Sequence, residues 1–258
     1  MNYEKHTIAS RNPIKRWLHR QRFDASLKLL QLESGQHFLD YGCGDGELVL
    51  QAKNYCPEIE VVAFEPAQEL NEQAVKKLGG LAGISVIQNF KSDIPNIDKS
   101  GIDKFDRIAC LETVEHLPEK ELAELFNNIK SVLREDGLFL ITFPIEHGCI
   151  SLIKNLYRML SRRDPYVSIK HILRQFLGLN VPREQQRPLS DCNYIYSHIG
   201  FDSREMIKKI REHFDIKKIA VLPTGFITCG LGNSVAVVIR QINTDEKQIH
   251  TDHGSRRN

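Results

Sequence analysis

The sequence predicts an α/β fold: a Rossmann-like, doubly wound, mostly parallel seven-stranded sheet with an antiparallel edge strand and a helical insertion after strand five. Three observations predict it. Short apolar runs alternate with amphipathic stretches from residue 35 to about 145, the pattern of parallel strands covered by helices on both faces. The first run ends in FLDYGCGDG (38–46), with glycines at alternate positions between a strand and a helix. Near its end the chain has a helix followed by two adjacent strand-like runs, which read as a hairpin and hence an antiparallel edge.

Each element has its own signal. Residues 13–32 place Trp17, Leu18, Phe23, Leu27, Leu29 and Leu30 at helical spacing, which predicts one or two leading helices. GQHFLDYG is a strand, and GELVLQAKNY is a helix that stops before Pro57. EIEVVAFEP is a strand ended by Pro66, and AQELNEQAVKKLGG is a helix closed by a glycine pair. GISVIQN and KFDRIACLE are the third and fourth strands. In PEKELAELFNNIKSVLREDG, Leu122, Leu125, Phe126, Ile129, Val132 and Leu133 share a helical face, and GLFLITFP is the fifth strand. LIKNLYRMLSRR and SIKHILRQFLGL read as basic helices, and VPREQQRPLSDCNYIYSHIGF as loop. SREMIKKIREHF is a helix; DIKKIAVLP and NSVAVVIR are the last strands. The organisation expected is an N-terminal helical cap (1–34), a main domain (35–240) with an insertion (145–200) over the acceptor, and a flexible polar tail (241–258).

Composition excludes little. A net charge of +2 neither demands nor excludes nucleic acid. The cysteines (Cys43, Cys56, Cys110, Cys149, Cys192, Cys229) form no CxxC pair, so reduced thiols in a cytoplasmic protein are expected. No apolar run approaches the ~20 residues of a membrane span.

A glycine-rich turn after a strand lets backbone approach a ligand, and the helix that follows aims its free N–H groups at it. GxGxG lacks the third-glycine spacing of the dinucleotide fingerprint, which counts against NAD. Glu65, at the end of the second strand, is placed to accept hydrogen bonds from both hydroxyls of a ribose. FLDYGCGDG, the acid of VVAFEP, FDRIACLETVEHL and SVLREDGLFLITFP together resemble the class I S-adenosylmethionine-dependent methyltransferases, of the type 11/12 kind. The resemblance covers residues 30–145 by motif and 200–240 by pattern. It implies that Asp40, Gly42, Cys43, Gly44 and Gly46 hold the methionine end of the cofactor, that Glu65 with Pro66 takes the ribose, and that Asn89 and Phe90 (with Asp93 competing) sit at the adenine. Cys110, Leu111 and Glu112 would border the transferred methyl.

LETVEHLP sets Glu112, Glu115 and His116 within five residues. The Glu-x-x-Glu-His pattern resembles metal-using O-methyltransferase and small-RNA methyltransferase branches, implying Mg²⁺ or Mn²⁺ on Glu112, Glu115 and His116. His116 with Glu115 acting as an acid–base pair without metal, or a structural role, are the alternatives. His147, His171 and His198 are further candidate ligands. The insertion interleaves Lys154, Arg158, Arg162, Arg163, Lys170 and Arg174 with apolar residues, and Tyr194, Tyr196 and His198 follow. This reads as a lid over a small-molecule, sugar or lipid-linked acceptor, or as a peripheral membrane contact. The expected reaction is O-methylation by in-line transfer. The alternatives are a metal-dependent RNA methyltransferase and a non-catalytic cofactor-binding regulator.

Overall fold

The computed structural model describes residues 13–94, 104–146, 151–152, 155–156, 159, 168–179, 181, 186–189, 192–195, 198–222 and 234–241. His147, Lys154, Arg158, Arg162, Arg163, Tyr196, Cys149, Cys229 and the 241–258 tail beyond Gln241 lie outside them.

The leading segment forms one helix, α1 (Pro13–Leu30). Then come β1 (His37–Tyr41), α2 (Glu47–Tyr55), β2 (Glu60–Phe64), α3 (Gln68–Leu78), β3 (Ile84–Ile87), the short α4 (Phe90–Asp93) and β4 (Phe105–Leu111). A 3₁₀ turn (Val114–His116), α5 (Glu119–Val132) and β5 (Leu133–Pro144) complete the first part. The rest comprises α6 (Ile169–Phe176), β6 (Gln186–Leu189), β7 (Cys192–Ile195), α7 (Ser203–His213), β8 (Asp215–Leu222) and β9 (Ser234–Arg240).

The main sheet has seven strands in the order β3-β2-β1-β4-β5-β9-β8. β1 pairs in parallel with β2 on one side and β4 on the other, so the winding reverses between β1 and β4. That reversal opens a crevice at the carboxyl ends of those strands. The β8–β9 hairpin forms the far edge. Its second strand, β9, is inserted antiparallel between β5 and β8.

Strand alternation splits the core into two layers. Phe38 and Leu39, neighbours in β1, are both wholly buried, one in each layer. Leu27 and Leu30 bring α1 into the layer of Phe38, and the Arg107 side chain of β4 donates to the Leu30 carbonyl at 2.7 Å. Leu122, Leu125, Phe126, Ile129 and Val132 give α5 its buried face in the other layer.

Two expectations are corrected. Leu133 does not end the α5 face: wholly buried, it pairs with Phe105 and already belongs to β5. Residues 186–195, expected as loop, form the antiparallel β6–β7 ribbon. Pro188 sits within β6, opposite Asn193 of β7.

The turn after β1 is fixed by two contacts. Gly42 and Cys43 both donate to the Phe64 carbonyl, at 2.8 and 3.0 Å. Gly46, at φ 80°, caps α2, and a Cβ there would sit 2.5 Å from Cδ1 of the wholly buried Leu78. Gly44, at φ 58°, faces open space. Gly46→Ala is therefore expected to lose about 2–4 kcal/mol from strain plus overpacking. Gly44→Ala loses only the left-handed backbone cost of about 1–2 kcal/mol. Urea denaturation of both variants checks this, and equal losses would refute the role of Leu78.

Candidate active site

A cavity of about 720 Å³ opens at the carboxyl ends of β1, β2, β3 and β4. Of the residues singled out in the sequence, Asp40, Gly42, Cys43, Gly44, Glu65, Pro66, Asn89, Phe90, Leu111, Glu112, Glu115 and His116 all line it. Gly46 does not; it shapes the turn from behind, as the N-cap of α2. Cys110 is wholly buried on the other side of β4, and burial pushes its thiol up. Asp93 is also absent from the wall. Its carboxylate accepts from the Asn89 and Gln88 amides at 2.8 and 3.2 Å and so organises α4, leaving Asn89 and Phe90 toward the cavity.

At the glycine end, Glu65 accepts from the Gly44 amide at 2.9 Å and the Ala67 amide at 3.0 Å. The Asn71 side chain donates to the backbone carbonyls of Glu65 and Ile87, locking the ends of β2 and β3 together. Phe64 meets Tyr41 and Phe90 edge-on and Tyr41 meets Phe90 at a tilt, with centroids 4.6–5.3 Å apart. Asp40 is 2% exposed, and its Oδ2 has no hydrogen-bond partner among the described residues. Carboxylates outnumber cations on the wall: Asp40, Asp45, Glu47, Glu65, Glu112, Glu115, Glu121 and Glu124 against Arg22 and Lys91. Such a wall favours a ligand carrying positive charge.

At the other end, Glu112 stands at φ 51°, a left-handed conformation rare for a residue with a Cβ. The surroundings enforce it. Its amide donates to the Thr142 carbonyl at 3.0 Å, its Oε1 accepts from the Thr142 hydroxyl at 3.1 Å, and its Oε2 pairs with Arg22 of α1 at 2.9 Å. Arg22, which also donates to Ser234 at 3.2 Å, and Thr142 are site residues the sequence reading missed. Their partners lie 90 and 30 residues away, and no local pattern marks them.

His116 and the wholly buried Glu115 follow in the 3₁₀ turn, with Nε2 3.8 Å from Oε1. His116 Nδ1 lies 2.9 Å from the Ile195 carbonyl of β7. A carbonyl only accepts, so Nδ1 carries the proton and Nε2 presents a lone pair. Tyr194 stacks on the His116 ring at 4.5 Å, and His198 meets it edge-on at 4.8 Å. Ligand atoms of Glu115, His116 and His198 all lie within 4.8 Å of one another. Glu112, expected in that cluster, is instead committed to Arg22 and Thr142. His171 lies on α6 and is not among the residues lining the cavity.

Burial raises the Asp40 carboxyl to about 8, helped by the nearby charges of Glu65 and Asp45. Burial likewise raises Glu65 to about 7, against the amides of Ala67 and Gly44. Both carboxyls keep protons that the unfolded chain releases near pH 4. Their contribution to stability is complete at low pH and is lost as pH rises through about 7 and 8. The ligand-free protein is expected to lose about 1.4 kcal/mol per pH unit for each carboxyl still protonated across that window. Melting temperatures from pH 5 to 9 should fall, and Asp40→Asn should flatten the fall. A rise across the window would refute the assignment.

Residues 18–154 match the family model described as mycolic acid cyclopropane synthetase. The (S)-coclaurine N-methyltransferase of Papaver somniferum is 25% identical over 145 residues, 56% of this chain and 39% of that protein. The cyclopropane-fatty-acyl-phospholipid synthase of Escherichia coli K12 is 31% identical over 113 residues, 43% of this chain and 27% of that one. The matched segments thus span about two fifths or less of these relatives. The solved structure of the cyclopropane synthase MmaA2 from Mycobacterium tuberculosis shares the fold, with TM-score 0.52 at 16% identity over 83% of this chain and 67% of that one. Since the family model takes in more than half of its length, the chain belongs to the mycolic acid cyclopropane synthetase family, within the class I S-adenosylmethionine-dependent methyltransferases.

Proposed function

We propose that the chain transfers the methyl group of S-adenosylmethionine to a small-molecule or lipid acceptor and passes the proton released to His116. The observation that carries this reading is the continuity of one cavity from the glycine turn to the Glu115–His116 pair. In the proposed complex, Asp40 and the turn Gly42–Gly44 hold the methionine end. Glu65 and Pro66 take the ribose, Asn89 and Phe90 flank the adenine, and Leu111 and Glu112 border the methyl. The excess of wall carboxylates suits a sulfonium. Residues 1–34 act as a cap, and residues 145–200 cover the acceptor on a 35–240 domain.

The sulfur–methyl bond breaks as the acceptor–methyl bond forms, and the sulfonium becomes a neutral thioether. Alignment of the two partners away from water supplies much of the acceleration. One proton must still leave. A hydroxyl or an amine gives up its own, and an alkene closing to a cyclopropane gives up one from the added methyl. The lone pair on His116 Nε2 is set to take it, and Glu115 beside it stabilises the imidazolium. The hydroxyl acceptor favoured by the sequence is therefore widened. The N-methyltransferase and the fatty-acyl-phospholipid synthase among the relatives point to nitrogen and to lipid, and the same residues would serve each.

Labelled methyl from S-adenosylmethionine, followed into lipid, small-molecule, RNA and protein fractions of an extract, identifies the acceptor class. His116→Ala should lower transfer by about 10²–10⁴-fold while S-adenosylhomocysteine affinity stays within about threefold. Undiminished transfer would overturn the proton-acceptor role.

The convergence of Glu115, His116 and His198 favours a second reading of the same end, a divalent-cation site. The donors fit: the Ile195 carbonyl fixes the ring that presents Nε2, and two imidazoles with one carboxylate suit Mn²⁺ better than Mg²⁺. A cation there would lower the pKa of an acceptor hydroxyl. Mn²⁺ should then raise the melting temperature of the wild type and not of His198→Ala. No shift in either leaves the metal-free reading.

A further inference from the structure

The helix α6 is inside out. Its inward side chains are Ile172, 5% exposed, and Gln175, 4% exposed, the latter accepting from Asn155 at 2.7 Å. Its outward stripe is apolar: Ile169 (66% exposed), Leu173 (52%), Phe176 (37%) and Leu177 (65%) recur at the i, i+4, i+7, i+8 spacing of one helical face. Leu179, 51% exposed, extends the stripe past the helix end. Helical spacing sets the exposed Lys170 and Arg174, one turn apart, along one edge of this stripe. A stripe of that kind, rimmed by basic residues, marks an interaction surface.

We propose that this face docks the protein on an anionic lipid surface. The argument for that occupant is charge. Residues 151–179 contain six Lys or Arg and a single Asp, in a chain whose net charge is +2. An apolar stripe with a basic edge is the pattern of helices that lie in a membrane interface, their apolar side chains among the acyl chains and their cations at the phosphates. A second copy of the chain is the poorer occupant, because an antiparallel two-fold contact along the stripe would bring the same basic edges together. No described helix is long and apolar enough to cross a membrane, so the contact is superficial. The surface also belongs to the insertion that supplies Tyr194 and His198 to the cavity wall, so docking would hold the acceptor end of the site to the lipid phase.

The test is flotation of the full chain with phosphatidylcholine vesicles, with and without phosphatidylglycerol. Binding is expected only with the anionic lipid and should weaken as salt is raised. Leu173→Ser with Leu177→Ser should reduce partitioning at least tenfold. Lys170→Gln with Arg174→Gln should reduce it by about 10–30-fold and lessen its dependence on salt. Unchanged melting temperature and S-adenosylhomocysteine affinity show that the variants fold, and the charge variant stands alone if the serine variant does not. No binding to anionic vesicles, or binding that both variants leave unchanged, overturns the proposal. So does a dimer, seen by sedimentation, that the serine variant dissolves without any vesicle binding. Vesicle binding by a protein that fails to bind S-adenosylhomocysteine would instead leave the docking face standing and count against the methyltransferase reading.

Discussion

The buried carboxylate of Glu65 joins the glycine turn after β1 to the end of β2, accepting from the amides of Gly44 and Ala67. That join sets up the rest of the site. A turn of glycines is conformationally loose and becomes a binding surface only when something outside it fixes its shape. Phe64, the residue before Glu65, receives Gly42 and Cys43 on its carbonyl, so the end of β2 holds the turn at both backbone and side chain. Holding a carboxylate there has a consequence. It keeps Glu65 and Asp40 out of water with their proton affinities raised, at a stability cost that a cationic, hydroxyl-bearing ligand would offset.

At the far end of the cavity a second constraint has the same logic. Glu112 holds a left-handed backbone because two residues fix it: Thr142 on β5, through its carbonyl and its hydroxyl, and Arg22 on α1. Strain of this kind persists where the surroundings over-determine it. Its effect is to turn the chain sharply after β4, so that the next residues face back across the cavity. Glu115 and His116 reach the wall by this turn, and Val114 just before them fills the core. The ion pair to Arg22 ties α1 into that geometry.

The sequence made the cofactor half of the molecule legible and the acceptor half much less so. FLDYGCGDG, VVAFEP and LETVEHLP are local. Each is a strand end plus the residues just after it, and a parallel sheet with right-handed crossovers carries all such ends to one edge. The turn residues, Glu65 and the Glu115–His116 pair could therefore be placed together without coordinates. Gly46 was grouped with the binding glycines because spacing does not say which way a turn residue faces. Only the contact with Leu78 shows that it packs against α3. The grouping of Glu112 with Glu115 and His116 failed for a similar reason. Residues three apart share a side of a regular helix, but here a left-handed residue and a 3₁₀ turn intervene, and Arg22, ninety positions away, claims the first carboxylate. His198 was named among several histidines and in the run with Tyr194 and Tyr196, but nothing local ties it to His116.

The β6–β7 ribbon shows where legibility stops. It orients the histidine of the site through one backbone carbonyl, that of Ile195, and one stacked ring, that of Tyr194. A backbone acceptor leaves no trace in side-chain identity. The pair Glu115–His116 is therefore specified locally but oriented from 79 residues away. That separation has a physical use. Under the proposed function the core would fix the methyl donor while β7 aims the histidine. Because that carbonyl accepts from Nδ1, the ribbon also sets which nitrogen of His116 carries the proton, so the tautomer of a residue carried by the core is decided by a segment outside it.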